Sequence, residues 1–115
     1  VLKAETPSEL ESAKKEALEN LNPYRAWVYL GDRQSPLNVR PRHPGDRFQP
    51  LGMDGKSMKI SDFMINQKIP QRARAGWPLV CVGDEIVWVP GYRLAHPYRV
   101  TEKSQKIIIL TLQQG

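Results

Sequence analysis

Hydrophobic positions in this chain come in short runs, separated by proline, glycine and charge, and their period changes from one run to the next. Residues 25–30 (RAWVYL) alternate and are rich in aromatic and β-branched side chains, which predicts a strand. A turn is expected at 31–36 and a second short strand at 37–40. Residues 79–82 (LVCV) and 85–89 (EIVWV) flank Gly83-Asp84, a turn dipeptide of the hairpin kind, and their apolar runs predict central strands. Residues 106–112 (KIIILTL) form the most apolar run and are expected to close the core. Residues 92–100 read as irregular or as a short edge strand, because Pro97 cannot donate to a ladder.

Helical periodicity occurs twice. Thr6-Pro7-Ser8-Glu9 supplies a capping residue, a proline at the first helical position and a glutamate, so a helix is expected from Pro7 to about Asn20, ended by Asn22-Pro23. Its apolar stripe is thin: Leu10, Ala13, Ala17 and Leu21. Ile60, Phe63 and Met64 follow an i, i+3, i+4 pattern behind Ser57, a candidate cap. That helix should break at Pro70, which starts a further turn carrying Arg72 and Arg74. Phe48 and Leu51 are expected to plug the intervening loop onto the core, and Met53, Met58 and Met64 to pack.

Together these elements predict an α+β fold. Its core is small and β-sandwich-like, made of short, mostly antiparallel strands with one or two short helices, and an N-terminal connector helix is added to it. The expected division is 1–24 as helix and linker and 25–115 as the domain. Length fits one domain with an appendage. No run is long and apolar enough to span a membrane and no secretory signal is visible, so a cytoplasmic location is expected. The single cysteine, Cys81, reads as a small buried hydrophobe.

Charge changes the picture more than composition does. Residues 1–22 carry three bases and five acids, and so repel phosphate. Residues 40–78 carry eight bases (Arg40, Arg42, Arg47, Lys56, Lys59, Lys68, Arg72, Arg74) and three acids (Asp46, Asp54, Asp62). Their net +5 equals the charge of the whole chain. Such clustering points to a polyanion surface, although any one of these bases can equally be a solubilising charge. His43-Pro44-Gly45-Asp46 reads as a tight turn, with Asp46 a turn-former or the ion-pair partner of Arg42 or Arg47 rather than a catalyst. Gly52 and Gly55 permit a turn or a close approach.

Other chemistry finds no support. Two histidines, His43 and His96, and one cysteine in unrelated contexts make no metal site. No GxSxG, GxGxxG or complete phosphate loop occurs, and the GKS of residues 55–57 lacks the preceding glycine and strand. Trp27, Trp77 and Trp88 lie in or beside strands and read as core rather than as base platforms.

Residues 37–112 resemble the C-terminal domain of bacterial tRNA(Ile)-lysidine synthetase. The stretches that carry the resemblance are VRPRHPGDRFQPLGM (39–53), KISDFMINQKIPQRARAGWPL (59–79), IVWVPGYR (86–93) and YRVT (98–101). The resemblance implies a small α+β domain that helps recognise isoleucine tRNA at its acceptor-stem end. It implies a longer enzyme that uses ATP to join lysine to the wobble cytidine. ATP and Mg²⁺ would then belong to a separate catalytic N-terminal domain, which is the expected partner besides tRNA. Its SGGxDS loop is absent here, so no ligase activity, catalytic residue or cofactor is expected of this stretch. DNA is not an expected ligand. In this frame Arg40, Arg42, His43, Arg47, Lys56, Lys59, Lys68, Arg72 and Arg74 contact phosphates, and Pro44, Gly45, Asp46, Gly52 and Gly55 shape the loop. His43 stands where the family often has arginine, and Met64 where an aromatic is common. The alternative is a protein-interaction or regulatory module whose basic face docks another domain.

Overall fold

A computed structural model of the protein describes residues 1–33 and 36–113. Residues 34 and 35 of the expected turn, and the last two residues of the expected tail, lie outside the described part. Three layers build the fold: a helix, a three-stranded sheet and a four-stranded sheet. The first sheet has the order β1 (Leu2–Glu5), β9 (Ile108–Leu112), β2 (Arg25–Val28). The second has the order β3 (Leu37–Arg40), β6 (Leu79–Val82), β7 (Glu85–Val89), β8 (Arg93–Leu94). Every pairing in both is antiparallel.

The period of two explains the layering. Ala26 and Val28 on β2, with Leu110 on β9, turn into the main core against the second sheet. Trp27 and Ile109 turn the other way. There they meet α1 (Leu10–Glu19), which seals them with Ala13, Leu10 and Ala17. Strand β9 is covered on both faces, which is why its sequence is a continuous apolar run.

The N-terminal reading needs correcting in three respects. Residues Leu2–Glu5, read as part of a connector, are a strand laddered on β9 from Leu2↔Leu112 to Glu5↔Ile109. The line drawn at residue 24 therefore separates two strands that share β9. The helix starts at Leu10 rather than Pro7, with Glu9 at the cap position and no side-chain capping bond. Within the expected stripe Leu21 is 95% exposed.

The hairpin forms as read, closing at Val82↔Glu85. Gly83 alone has positive φ, the type II′ pattern. A bulge at Val87 bends β7, and the Val87 carbonyl accepts the Ala95 N–H at 2.8 Å.

Between the sheets' strands lies the segment read as loop, and it holds an unexpected ribbon. Strand β4 (Arg47–Phe48) pairs with β5 (Met58–Lys59). Phe48 is buried edge-to-face on Phe63. Ser57 caps no helix; α2 (Ile60–Asn66) begins at the end of β5, and Ile60, Phe63 and Met64 are buried as the stripe requires. It ends before Pro70. The Ile69 N–H reaches the Met64 carbonyl at 3.0 Å and the Lys68 N–H reaches Ile65 at 3.0 Å, a Schellman closure. This closure puts Lys68 at φ +59, where glycine is usual. Then α3 (Gln71–Arg74) follows Pro70.

Two outcomes follow. Lys68→Gly should raise stability by about 0.5–1 kcal/mol in urea melts, the left-handed strain less the entropy glycine adds to the unfolded chain. An unchanged or lower midpoint would mean that no strain is stored there. Tyr98 is fully buried and its hydroxyl has no hydrogen-bond partner among the described residues. Burial, helped by the nearby Glu85 carboxylate, pushes that hydroxyl up to about 12. The folded state thus keeps this proton longer than the unfolded chain does, whose tyrosines titrate near about 10. Tyr98's share of stability is full below that value and is lost as pH rises toward 12. Tyr98→Phe should flatten this alkaline limb in melts across that window.

Candidate nucleic-acid interface

The basic segment is organised by one turn. Strand β3 leaves the second sheet at Arg40, and the chain reverses over residues 43–46. The Asp46 N–H donates to the His43 carbonyl at 3.1 Å, with Pro44 and Gly45 between them. Gly45 sits at φ +83 with no neighbouring atom near a would-be Cβ, so the backbone angle, not crowding, demands glycine. Proline then glycine with positive φ is the type II arrangement.

Asp46 fastens the turn. Its Oδ2 accepts the His43 N–H at 2.8 Å and Arg40 Nη1 at 2.8 Å, and its Oδ1 accepts Arg40 Nη2 at 3.2 Å. Arg40 also donates to the carbonyls of Pro41 and Asp84. The Asp46 backbone carbonyl accepts the first N–H of α2, from Ile60, at 2.9 Å. Burial pushes the Asp46 carboxyl up, but the bonds from Arg40 and from the His43 N–H outweigh it and leave the group below the ordinary carboxylate range. Asp46 is therefore the turn-former expected, but its ion-pair partner is Arg40, not Arg42 or Arg47. Two residues apart in an extended chain, Arg40 and Arg42 would project to one side; instead the Arg40 side chain folds back onto the turn and is 13% exposed.

The other bases are differently placed. Among the described residues the ion pairs are Lys3–Glu5, Lys14–Glu11 and Arg40–Asp46. Arg42, Arg47, Lys56, Lys59, Lys68, Arg72 and Arg74 thus have no carboxylate in ion-pair reach. Arg42 lies against α2, with Nη1 at 3.8 Å from Met64 Sδ. Arg47 is steadied by Ser57, through Nε to Oγ at 3.2 Å. It stands directly across the ribbon from Lys59, a like-charge pair that costs stability unless an anion joins it. Arg74 turns back, its Nε donating to the Ile69 carbonyl at 2.8 Å. Lys56 closes a turn with Met53 at 3.0 Å, over Asp54 at φ +52 and Gly55 at φ +81. Gln49 holds the Gly55 carbonyl at 2.7 Å. These bonds fix the shape of the loop around Gly55. Gly52 adds a further positive φ, +94, ahead of this turn.

A cleft of about 420 Å³ opens between the 43–46 turn, the start of α2 and the end of α3. It gathers Arg42, His43 and Lys59 at one place. Arg72 lies three residues before the cleft residue Ala75, on the same side of that helix. Lys56 and Lys68 do not line the cleft. Sequence reasoning missed Ser57, Ser61 and Ala75, which carry no charge and acquire a role only through their neighbours. The tryptophans pack: Trp27 and Trp88 are buried, and Trp77 donates Nε1–H to the Pro90 carbonyl at 3.0 Å. Burial raises the Cys81 thiol above its ordinary value, the opposite of nucleophile activation. Among the described residues no three His, Cys, Asp or Glu side chains meet to hold a metal, and no helix is long and apolar enough to cross a membrane.

Comparison with known proteins places this geometry. Residues 37–110 match the family described as the TilS substrate C-terminal domain. The tRNA(Ile)-lysidine synthase of Caldanaerobacter subterraneus subsp. tengcongensis is 44% identical over 72 residues, 63% of this chain and 15% of that protein. That of Dehalococcoides mccartyi is 42% identical over 84 residues, 72% of this chain and 17% of that protein. A crystal structure of the TILS C-terminal domain superposes with a TM-score of 0.75 at 26% identity, covering 96% of this chain and 80% of that one. The chain thus spans less than a fifth of the length of either of these relatives.

Asp46→Asn should destabilise the fold by about 2 kcal/mol, because it leaves Arg40 half-buried without its counter-charge. The lowered carboxyl makes the sign definite. Asp46 stabilises at pH values above the unfolded carboxylate value, near about 3.9, and the contribution fades as pH falls through the folded value. In denaturant melts the gap between wild type and variant should be constant from neutral pH down to mild acid and should narrow below that point.

Proposed function

The chain belongs to the TilS substrate C-terminal domain family, and we propose that it is the tRNA-holding domain of a longer lysidine-forming ligase. The observation that carries this reading is the basic frame. Among the described residues, seven of the eight bases of 40–78 have no carboxylate partner, while the eighth fixes the 43–46 turn. A soluble surface with no anionic ligand gains nothing from opposing Arg47 to Lys59. A phosphate backbone neutralises both and releases counterions.

The full-length protein would join lysine to the wobble cytidine of isoleucine tRNA at the expense of ATP. This domain would hold the tRNA near its acceptor stem, through Arg42, His43, Arg47, Lys59 and Arg72. Lys56, Lys68 and Arg74 would add charge at the margins. A-form RNA is read by shape and backbone, which suits bases set on a rigid ribbon and turn, and makes B-form DNA the poorer ligand. ATP, Mg²⁺ and the bond-forming step belong to the catalytic part of the longer protein, which is also this domain's covalent neighbour. The setting would be the cytoplasm.

Titration of the protein with isoleucine tRNA, an unrelated tRNA and a DNA duplex at two salt concentrations tests the reading. Isoleucine tRNA should bind most tightly and keep its lead at the higher salt. Arg42→Glu and Arg47→Glu should each weaken binding by roughly tenfold and lower the salt slope by about 1 per lost phosphate contact. A flat response to both reversals would move the basic face to a protein-docking role.

A further inference from the structure

The basic residues beside the turn surround a cleft rather than a flat face. Phosphates of a duplex can be met by charges on a flat or convex surface. Here Arg42, His43 and Lys59 stand around a concavity of about 420 Å³, within the range of small-ligand pockets, roughly 300–1,000 Å³. Pro44, Ile60 and Ala75 make its wall apolar. The carboxylate lining it, Asp46, is spent on Arg40 and the His43 N–H. Ser61, with its hydroxyl side chain, also lines it. Arg42 and His43 bring the two flat polar groups, guanidinium and imidazole, on which unstacked bases pack. An apolar wall, a planar guanidinium and imidazole, a hydroxyl and the charges of Arg42 and Lys59 are the complement of a single nucleotide.

We infer that this cleft receives one unpaired nucleotide of the bound RNA, with its base against Pro44, Ile60 and Ala75 and its phosphate at Arg42 and Lys59. The inference rests on the RNA-holding reading and makes it more specific: the ligand is a duplex end or junction carrying an unstacked base, not a continuous helix.

The test titrates the full chain with a short blunt RNA duplex and with the same duplex bearing one unpaired nucleotide at its 3′ or 5′ end. One overhang should tighten binding roughly tenfold, the size of a captured base. Ala75→Leu fills the wall without touching a charge, at an exposed position, and should abolish that advantage; Ser61→Ala should reduce it. Equal affinity for blunt and overhanging duplexes in the wild type overturns the inference, as does an advantage that survives Ala75→Leu. Absence of binding to every duplex is a different result, and it overturns the RNA reading together with the inference.

Discussion

One carboxylate joins most of what matters in this domain. Through its side chain Asp46 holds Arg40, at the end of a sheet strand, and the His43 N–H, at the start of the turn. Through its backbone carbonyl it receives the first amide of α2. Arg40 in turn reaches the hairpin tip at Asp84. Strand, turn, helix and hairpin tip are therefore indexed to one acidic group, held ionised by its neighbours against the cost of burial. A pair this sheltered gains little net energy, because desolvation offsets the attraction. What it supplies is position, since the turn between Arg42 and Arg47 is tied by this pair to the end of β3 and to the start of α2.

That division of labour gives the segment its character. One arginine is internal and structural, and the others are left without counter-charges. The free protein carries this repulsion on a ribbon only two residue pairs long. The buried Phe48–Phe63 contact beneath it keeps the ribbon closed. The strain of Lys68 at a position suited to glycine is a second instance of the same trade, stability given up to keep a cation at the corner between two short helices.

The parts legible in the sequence are those whose cause is local. The hairpin is visible in Gly83-Asp84 and its apolar arms, β2 in its alternation, and the buried face of α2 in the spacing of Ile60, Phe63 and Met64. The type II turn was written in Pro44-Gly45. What escaped notice depends on partners far along the chain. LKAE is too short and polar to read as a strand, and becomes one because β9 lies beside it. The strong capping signal at Thr6-Pro7-Ser8 lost to the need to carry the chain from β1 across the sheet before the helix could begin. Asp46 was assigned to Arg42 or Arg47 because they are its sequence neighbours; only the strand geometry brings Arg40 back to it. The charged members of the cleft could be named in advance. Ser61 and Ala75 could not, since nothing in a serine or an alanine announces a wall until another element faces it.

The last strand of the chain is the middle strand of the first sheet. During synthesis β1 and β2 emerge early and remain without a partner until β9 arrives, more than a hundred residues after β1. The second sheet, the ribbon and the turn need only residues that lie between them, so the half that carries the basic segment can assemble while the N-terminal strands are still waiting. Completion is thus a late, long-range event of high contact order, and the apolar undersides of β1, β2 and α1 are the surfaces exposed to misassociation in the interval.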